Sequence, residues 1–337
     1  MELGKPQHPF PPILHDSNSV VMLVMNDAIR ESAVARELEH MPGVTLKIAE
    51  PLARYTSIKI GGPADYFIEV AHDSALANLL RVLELHKIDF CLLGNGSNVL
   101  ISDRGVRGAV IRLAGEFKRL EWREENGGVH ARVGAAYPVT QLVREAARRG
   151  YAGLEFAEGI PGTVGGALFM NAGAYGSEFE KIVGRVQAMT CSGQPLEFSR
   201  DEMRFSYRDS HLPNGTVVTR VEMRLQRSAM VGVVVKVREL TQRRKSSQPS
   251  GLPNSGSMFR NPPGDFAGRL IEAAGLKGKR IGQCQISERH ANFFVNLGGA
   301  QASEVRRLMQ EAQAEVRRQF GVELASEVKL LGEWPAE

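Results

Sequence analysis

Residues 153–176 read GLEFAEGIPGTVGGALFMNAGAYG, with glycine at 153, 159, 162, 165, 166, 173 and 176 in no fixed period. Glycine at this density costs conformational entropy on folding, and something must offset that cost. Two arrangements can do so. A flat or diphosphate-bearing ligand can press on bare backbone, or helices can pack closely around Ala167 to Met170. Glycine makes up 35 of 337 residues, about 10% against a usual ~7%, and is too aperiodic for collagen or a low-complexity linker.

Outward from this stretch, strands and helices alternate. Val129 to Ala135 reads as a strand, and Pro138 to Arg149 as a helix opened by proline and closed by Gly150. Ahead of them, Asp65 to Val70 (DYFIEV), Phe90 to Leu93 and Ala109 to Leu113 read as strands. Phe90 to Leu93 has the look of a short buried one. Asp73 to Lys87 reads as a helix with Leu76, Leu79, Leu80 and Leu83 on one face. Residues 1–18 carry four prolines and no periodicity, which predicts a flexible extension; residues 26–40 read as one helix. Beyond the glycine stretch, strands are expected at 182–190 and 216–226. Ala229 to Lys245 reads as a long helix and Ser246 to Asn261 as a Ser/Pro/Gly loop. A helix at 265–274, strands near 281–287 and 292–297, a helix at 303–319 and a strand at 322–331 follow. The change of character near 228 marks a boundary between a larger glycine-rich domain and a smaller α+β one.

Composition excludes several classes. Lys+Arg 42 against Asp+Glu 38 gives a formal charge of only +4. The basic runs Arg243-Arg244-Lys245, Arg306-Arg307 and Arg317-Arg318 fall in helical patterns and read as solvated faces, so no nucleic-acid footprint is expected. Cys91, Cys191 and Cys284 stand far apart with no metal-ligand spacing, which fits a reducing cytoplasm and no metal. The longest early apolar run, Val20 to Met25, falls well short of the roughly 20 residues of a membrane span. A monomer is the default expectation.

Four further segments carry possible chemistry. Leu93 to Leu100 (LGNGSNVL) is a strand running into a Gly-x-Gly turn: its bare N–H groups can hold a pyrophosphate, or it is a tight turn between strands. It is neither a Walker A loop nor a complete Rossmann fingerprint. In Phe205 to Ser210 (FSYRDS), Arg208 either pairs with Asp209 or another carboxylate, or serves catalysis. Gln248 to Pro262 sets Ser257 beside glycines and an Arg-Asn pair, with no Gly-x-Ser-x-Gly elbow and no paired histidine for a hydrolase triad. Glu327, in Ser326-Glu327-Val328, is either a solvated strand-edge carboxylate or a functional one.

In chain order, Thr56-Ser57 to Gly61-Gly62-Pro63-Ala64, LGNGSNVL, residues 153–176, FSYRDS, SGSMFRNP, HANFFVN and SEVKLLG resemble the motifs of the UDP-N-acetylenolpyruvoylglucosamine reductases. This is the MurB family of bacterial cell-wall synthesis. The resemblance covers residues 45–332. It implies an α+β flavin-binding fold of the vanillyl-alcohol-oxidase/PCMH type, with subdomains at about 43–113 and 114–227 after an extension at 1–42. A smaller α+β substrate domain would occupy 228–337. It also implies non-covalent FAD, NADPH as hydride donor, and a cytoplasmic UDP-N-acetylmuramate dehydrogenase acting on a small UDP-sugar.

Carried over by position, FAD contacts fall on Gly94, Asn95, Gly96, Ser97, Asn98, Gly159, Ile160, Pro161, Gly162, Val164 and Gly165. Asn171, Gly173, Ala174, Tyr175 and Gly176 complete that set. The catalytic positions are Arg208, Ser257 and Glu327; the substrate positions are Arg260, Asn261 and Asn292. Ser257 would supply a proton, and Arg208 and Glu327 would stabilise an enolate. An ionised Glu327 would repel that enolate, so it must be neutral or orient another donor. Between Leu225 and Ser257 there is room for little besides one helix. The chain therefore resembles the shorter, type II form, without the insert whose tyrosine covers substrate in longer members.

Overall fold

A computed structural model describes residues 32–125 and 128–335. The expected flexible segment at 1–18 and the first residues of the helix expected at 26–40 lie outside that range. The described part of this helix is Ala33–Glu39, and it buries Val34, Ala35 and Leu38 in the core of the first subdomain. The last part of the expected extension is thus built into that subdomain.

The first sheet runs Val44–Pro51, Pro63–Val70, Val106–Leu113, Phe90–Leu92 in spatial order, antiparallel at the first pair and parallel after it. Alternation along Pro63–Val70 divides its side chains between two cores. Tyr66, Ile68 and Val70 meet Leu76, Leu79, Leu80 and Leu83 of the helix Asp73–Leu85, while Phe67 faces Leu93 and Ile101, joined by Ala64 from beyond a register shift between Ala64 and Tyr66. The second sheet is antiparallel, in the order Pro195–Ser199, Val183–Met189, Val217–Arg227, Gly128–Gly134, Leu120–Glu125. Its two edge strands, and the edge strand Val44–Pro51, were not expected. Leu120–Glu125 (LEWREE) is mostly exposed on an edge, so it carries little of the apolar pattern from which strands are read.

The helix Met230–Ser247 leads into a small antiparallel sheet ordered Asn254–Ser257, Phe293–Asn296, Cys284–Ile286, Arg280–Ile281. The expected loop at 246–261 therefore contains a strand that ends on Ser257. The helices Ala267–Ala273 and Ala302–Phe320 cover this sheet. Its core is not closed on itself. Ile58, Ile60 and Leu100 pack among Met258, Phe259, Phe294 and Val328. The strand expected at 322–331 is only Lys329–Leu331, and it pairs parallel with Val99–Ile101. Asn296 Nδ2 donates to Ile58 O at 2.9 Å. Asp103 accepts from the backbone N–H groups of Ala302 (2.7 Å) and Ser303 (2.9 Å), so a residue from the first subdomain serves the start of the long helix. Among the described residues, no helix is long and apolar enough to cross a membrane.

Asp103→Ala leaves two helix-end donors without that acceptor. It is expected to destabilise the protein by about 1 kcal/mol, read as a shift of the denaturant midpoint at unchanged slope.

Candidate active site

A cleft of about 1440 Å³ runs between the two subdomains and beneath the C-terminal segment. It exceeds the roughly 300–1,000 Å³ of a single-ligand pocket, so a dinucleotide and a substrate fit together. The strand Phe90–Leu92, expected to be buried, forms part of its wall, and Leu92 is 38% exposed there. Gly94 to Asn98 form one rim, and Gly159 to Gly162 with Gly165, Gly173 and Ala174 form the other.

The rims touch. Ser97 Oγ donates to Pro161 O at 3.2 Å, and a Cβ on Gly94 would lie 2.7 Å from Thr163 Oγ1. Gly96 holds φ +59°, and a Cβ there would stand 2.3 Å from Tyr55 O. Gly94 and Gly162, where a Cβ would stand 2.9 Å from Ser97 Oγ, are thus needed for the two loops to approach each other, an arrangement beyond both ligand contact and helix packing. The loops nevertheless keep free donors. Among the described residues, the N–H groups of Gly94, Asn95, Gly96, Ser97, Asn98, Gly159, Gly162 and Thr163 have no partner within the chain. Arg112, Lys118, Arg208, Arg244 and Lys329 also line the cleft, against the single carboxylate Glu327. Unspent amides in glycine loops, with five cations around them, fit a diphosphate-bearing cofactor such as FAD.

Arg244 corrects the expectation of a wholly solvated basic run. It turns inward, and its Nη1 donates to Gly159 O at 2.5 Å. The run itself held no sign of this. The only available hint was the helical spacing that sets Leu240, Thr241 and Arg244 on one face.

Several expected ligand residues do not line the cleft. Val164 is buried and its N–H bonds Tyr137 O at 2.9 Å. Tyr175 points away, with its hydroxyl donating to Leu240 O at 3.3 Å, and Gly176 lies beyond it in the same turn. Asn171 is fully buried: its Nδ2 donates to Ser206 O and its Oδ1 accepts from Glu180 N, both at 3.0 Å. Asn261 Oδ1 accepts from Ala267 N at 3.1 Å. Asn292 is 3% exposed and braces the loop behind Ser257, accepting from Phe259 N at 2.9 Å and donating to Phe259 O at 2.8 Å. Arg260 lies outside the cleft lining, with Nε buried and unpartnered. Motifs located the neighbourhood of each residue but not the direction of its side chain.

Arg208, Ser257 and Glu327 do meet in the cleft. Arg208 is the third residue of a turn closed by Ser206 N to Asp209 O (3.0 Å) and Asp209 N to Ser206 O (3.1 Å). Its φ is +60°, which costs a side-chain-bearing residue roughly 1–2 kcal/mol. Of the two options left open for Arg208, the structure shows a carboxylate partner, and it is Glu327 rather than Asp209. Arg208 Nε donates to Glu327 Oε1 at 2.8 Å and Nη2 to Gly173 O at 3.3 Å. Among the described residues, its other three N–H groups have no hydrogen-bond partner. Glu327 precedes the last strand instead of lying within one. Its N–H bonds Met258 O at 2.8 Å, and Asn98 Nδ2 donates to its carbonyl at 3.2 Å. Burial pushes the Glu327 carboxyl above its ordinary value of 4.5, against the pull of Arg208 and Arg260. Among the described residues, Ser257 Oγ has no hydrogen-bond partner, so its proton is uncommitted.

Comparison with known proteins agrees with this geometry. Residues 64–199 match the family model described as FAD binding domain. Residues 248–331 match UDP-N-acetylenolpyruvoylglucosamine reductase, C-terminal domain. UDP-N-acetylenolpyruvoylglucosamine reductase 2 of Symbiobacterium thermophilum is 45% identical over 301 residues, covering 89% of this chain and 96% of that one. The Rubrobacter xylanophilus reductase is 46% identical over 292 residues, covering 85% and 95%. The crystal structure of the Thermus caldophilus enzyme (MurB) aligns with TM-score 0.73 and 37% identity over 85% of this chain and 100% of that chain. The fold is the expected α+β flavin-binding one, the cofactor is FAD, and the chain belongs to the UDP-N-acetylenolpyruvoylglucosamine reductase family.

Proposed function

We propose that this chain is the cytoplasmic, NADPH-dependent enzyme that reduces UDP-N-acetylglucosamine enolpyruvate to UDP-N-acetylmuramate for peptidoglycan precursor synthesis. The observation that carries this reading is the convergence of Arg208, Ser257 and Glu327 on a cleft rimmed by free glycine-loop amides. FAD, when bound, would supply the redox chemistry that carries hydride from NADPH to the methylene carbon of the enolpyruvyl group. The amides of Gly94 to Asn98 and of Gly159 and Gly162 would hold its diphosphate.

Hydride addition at the methylene carbon leaves negative charge on the α-carbon and the adjoining carboxylate. The three free N–H groups of Arg208 meet that charge in a fixed planar fork. Glu327 anchors the fork through Nε. Because burial favours its neutral form, the repulsion an ionised carboxylate would exert is reduced. The Ser257 hydroxyl then protonates the α-carbon and is itself reprotonated by water. Hydride and proton together saturate the enol ether to a lactyl ether.

Ser257→Ala should leave flavin reduction by NADPH within about twofold of wild type and slow oxidation by the enolpyruvyl substrate by about 10²-fold or more. Stopped-flow flavin absorbance separates the two steps, and an equal loss in both would defeat the assigned role.

The raised Glu327 pKa also has a sign. Above about pH 4.5 the unfolded chain releases this proton while the folded protein keeps it, so the stabilisation is lost as pH rises through the folded value. Glu327→Gln has no such titration. Its denaturant midpoint, compared with wild type, should move in the variant's favour from about pH 4.5 upward. A gap independent of pH, or one moving the other way, contradicts the assignment.

A further inference from the structure

We infer that Asn171 and Ser210 are positioning residues for the proposed reduction, mounting both sides of the Arg208 turn on the end of the helix Val164–Phe169. This inference rests on Arg208 acting on the substrate.

Arg208 sits in the left-handed region at φ +60°, which L-residues adopt only when their surroundings hold them there. Two buried side chains hold the turn from opposite sides. Asn171 Nδ2 donates to the carbonyl of Ser206, two residues before Arg208, at 3.0 Å. Ser210 Oγ, two residues after it, donates to the carbonyl of Phe169 at 3.0 Å. Asn171 and Ser210 are both 0% exposed, and neither lines the cleft. Asn171 is itself gripped from the far side, its Oδ1 accepting from Glu180 N at 3.0 Å. The same short segment supplies a third contact, because Gly173 O accepts from Arg208 Nη2 at 3.3 Å.

One stretch of backbone, residues 169–173, therefore sets the position of the turn and of the guanidinium on it. Neither side chain reaches the lining of the cleft in which cofactor and substrate would bind. Asn171 thus holds the cationic side of the reaction, not the flavin that its motif suggested. Losing either mount lets the turn relax, and a shift of about 1 Å at a charge-stabilising group is enough for large losses in rate.

The test uses flavin-loaded wild type, Ser210→Ala, Asn171→Ala, Arg208→Ala and the two double variants. Both single mount variants are expected to keep stoichiometric flavin and near-normal reduction by NADPH. Their oxidation by the enolpyruvyl substrate should fall about tenfold or more, and Ser210→Thr, which keeps the hydroxyl, should recover most of that loss. In the Arg208→Ala background the added mount substitution should change the rate by less than about twofold, because its effect passes through a side chain already removed. The full loss appearing again in that background, or an equal loss in both half-reactions, overturns the inference. Should Asn171→Ala fail to fold, Ser210→Ala decides alone. If Arg208→Ala itself oxidises at wild-type speed, the role of Arg208 fails, and the mount falls with it; normal oxidation in the mount variants beside a slow Arg208→Ala overturns the mount only.

Discussion

Three residue pairs, Lys329 with Val99, Leu330 with Leu100 and Leu331 with Ile101, join the last strand to the strand that follows the first glycine loop. Just ahead of this junction, Asn98 offers its carbonyl to Lys329 N at 3.0 Å and its side-chain amide to Glu327 O at 3.2 Å. The glycine loop Gly94 to Asn98 and Glu327, which accepts from Arg208 Nε, are therefore joined directly by hydrogen bonds. Met258 extends the link, because its carbonyl accepts from Glu327 N at 2.8 Å and Ser257 is its neighbour. The parallel pair thus fixes Glu327 and Ser257 relative to the Gly94–Asn98 loop, while Arg208 is also held from its own side through Gly173 O.

The Arg208–Glu327 pair is mostly shielded, with side chains 19% and 15% exposed. Taking a carboxylate and a guanidinium out of water together costs about as much as their attraction returns unless further hydrogen bonds support them, which is why burial favours the neutral Glu327 carboxyl beside the charged Arg208. Arg208 has one such bond, to Gly173 O, and Glu327 accepts from a single guanidinium nitrogen. Such a pair contributes position more than stability. The strained backbone of Arg208 fits the same view: local conformational energy is committed to aiming one guanidinium into the cleft.

Much of this is legible in the sequence. The helix Val139–Arg149 stands within one residue of the Pro138 and Gly150 signals that predict it, and the leucine face of Asp73–Leu85 is buried as its spacing requires. The order of motifs brought Arg208, Ser257 and Glu327 to one cleft. What could not be read was direction and partnership. Asn171, Asn261 and Asn292 stand in motifs of the site yet spend their amides on backbone, because a sequence shows where a side chain starts and not where it ends. Edge strands such as Pro195–Ser199 bury too little to show a pattern. The inward turn of Arg244 depends on which neighbour packs beside its helix.

The mixed core around Ile58, Ile60 and Leu100 has a consequence for biosynthesis. Asn98 and Glu327 are 229 positions apart, so the chain must close a very long loop before either finds its partner. A ribosome makes the first subdomain long before the segment that covers it. Throughout that interval the nascent chain carries three aliphatic side chains with nothing to shield them, together with an unpaired strand edge at Val99–Ile101. Such a chain presents a surface that chaperones recognise and that neighbouring chains can join. The feature that unites the finished site is therefore also the one that leaves the growing polypeptide most open to misassembly.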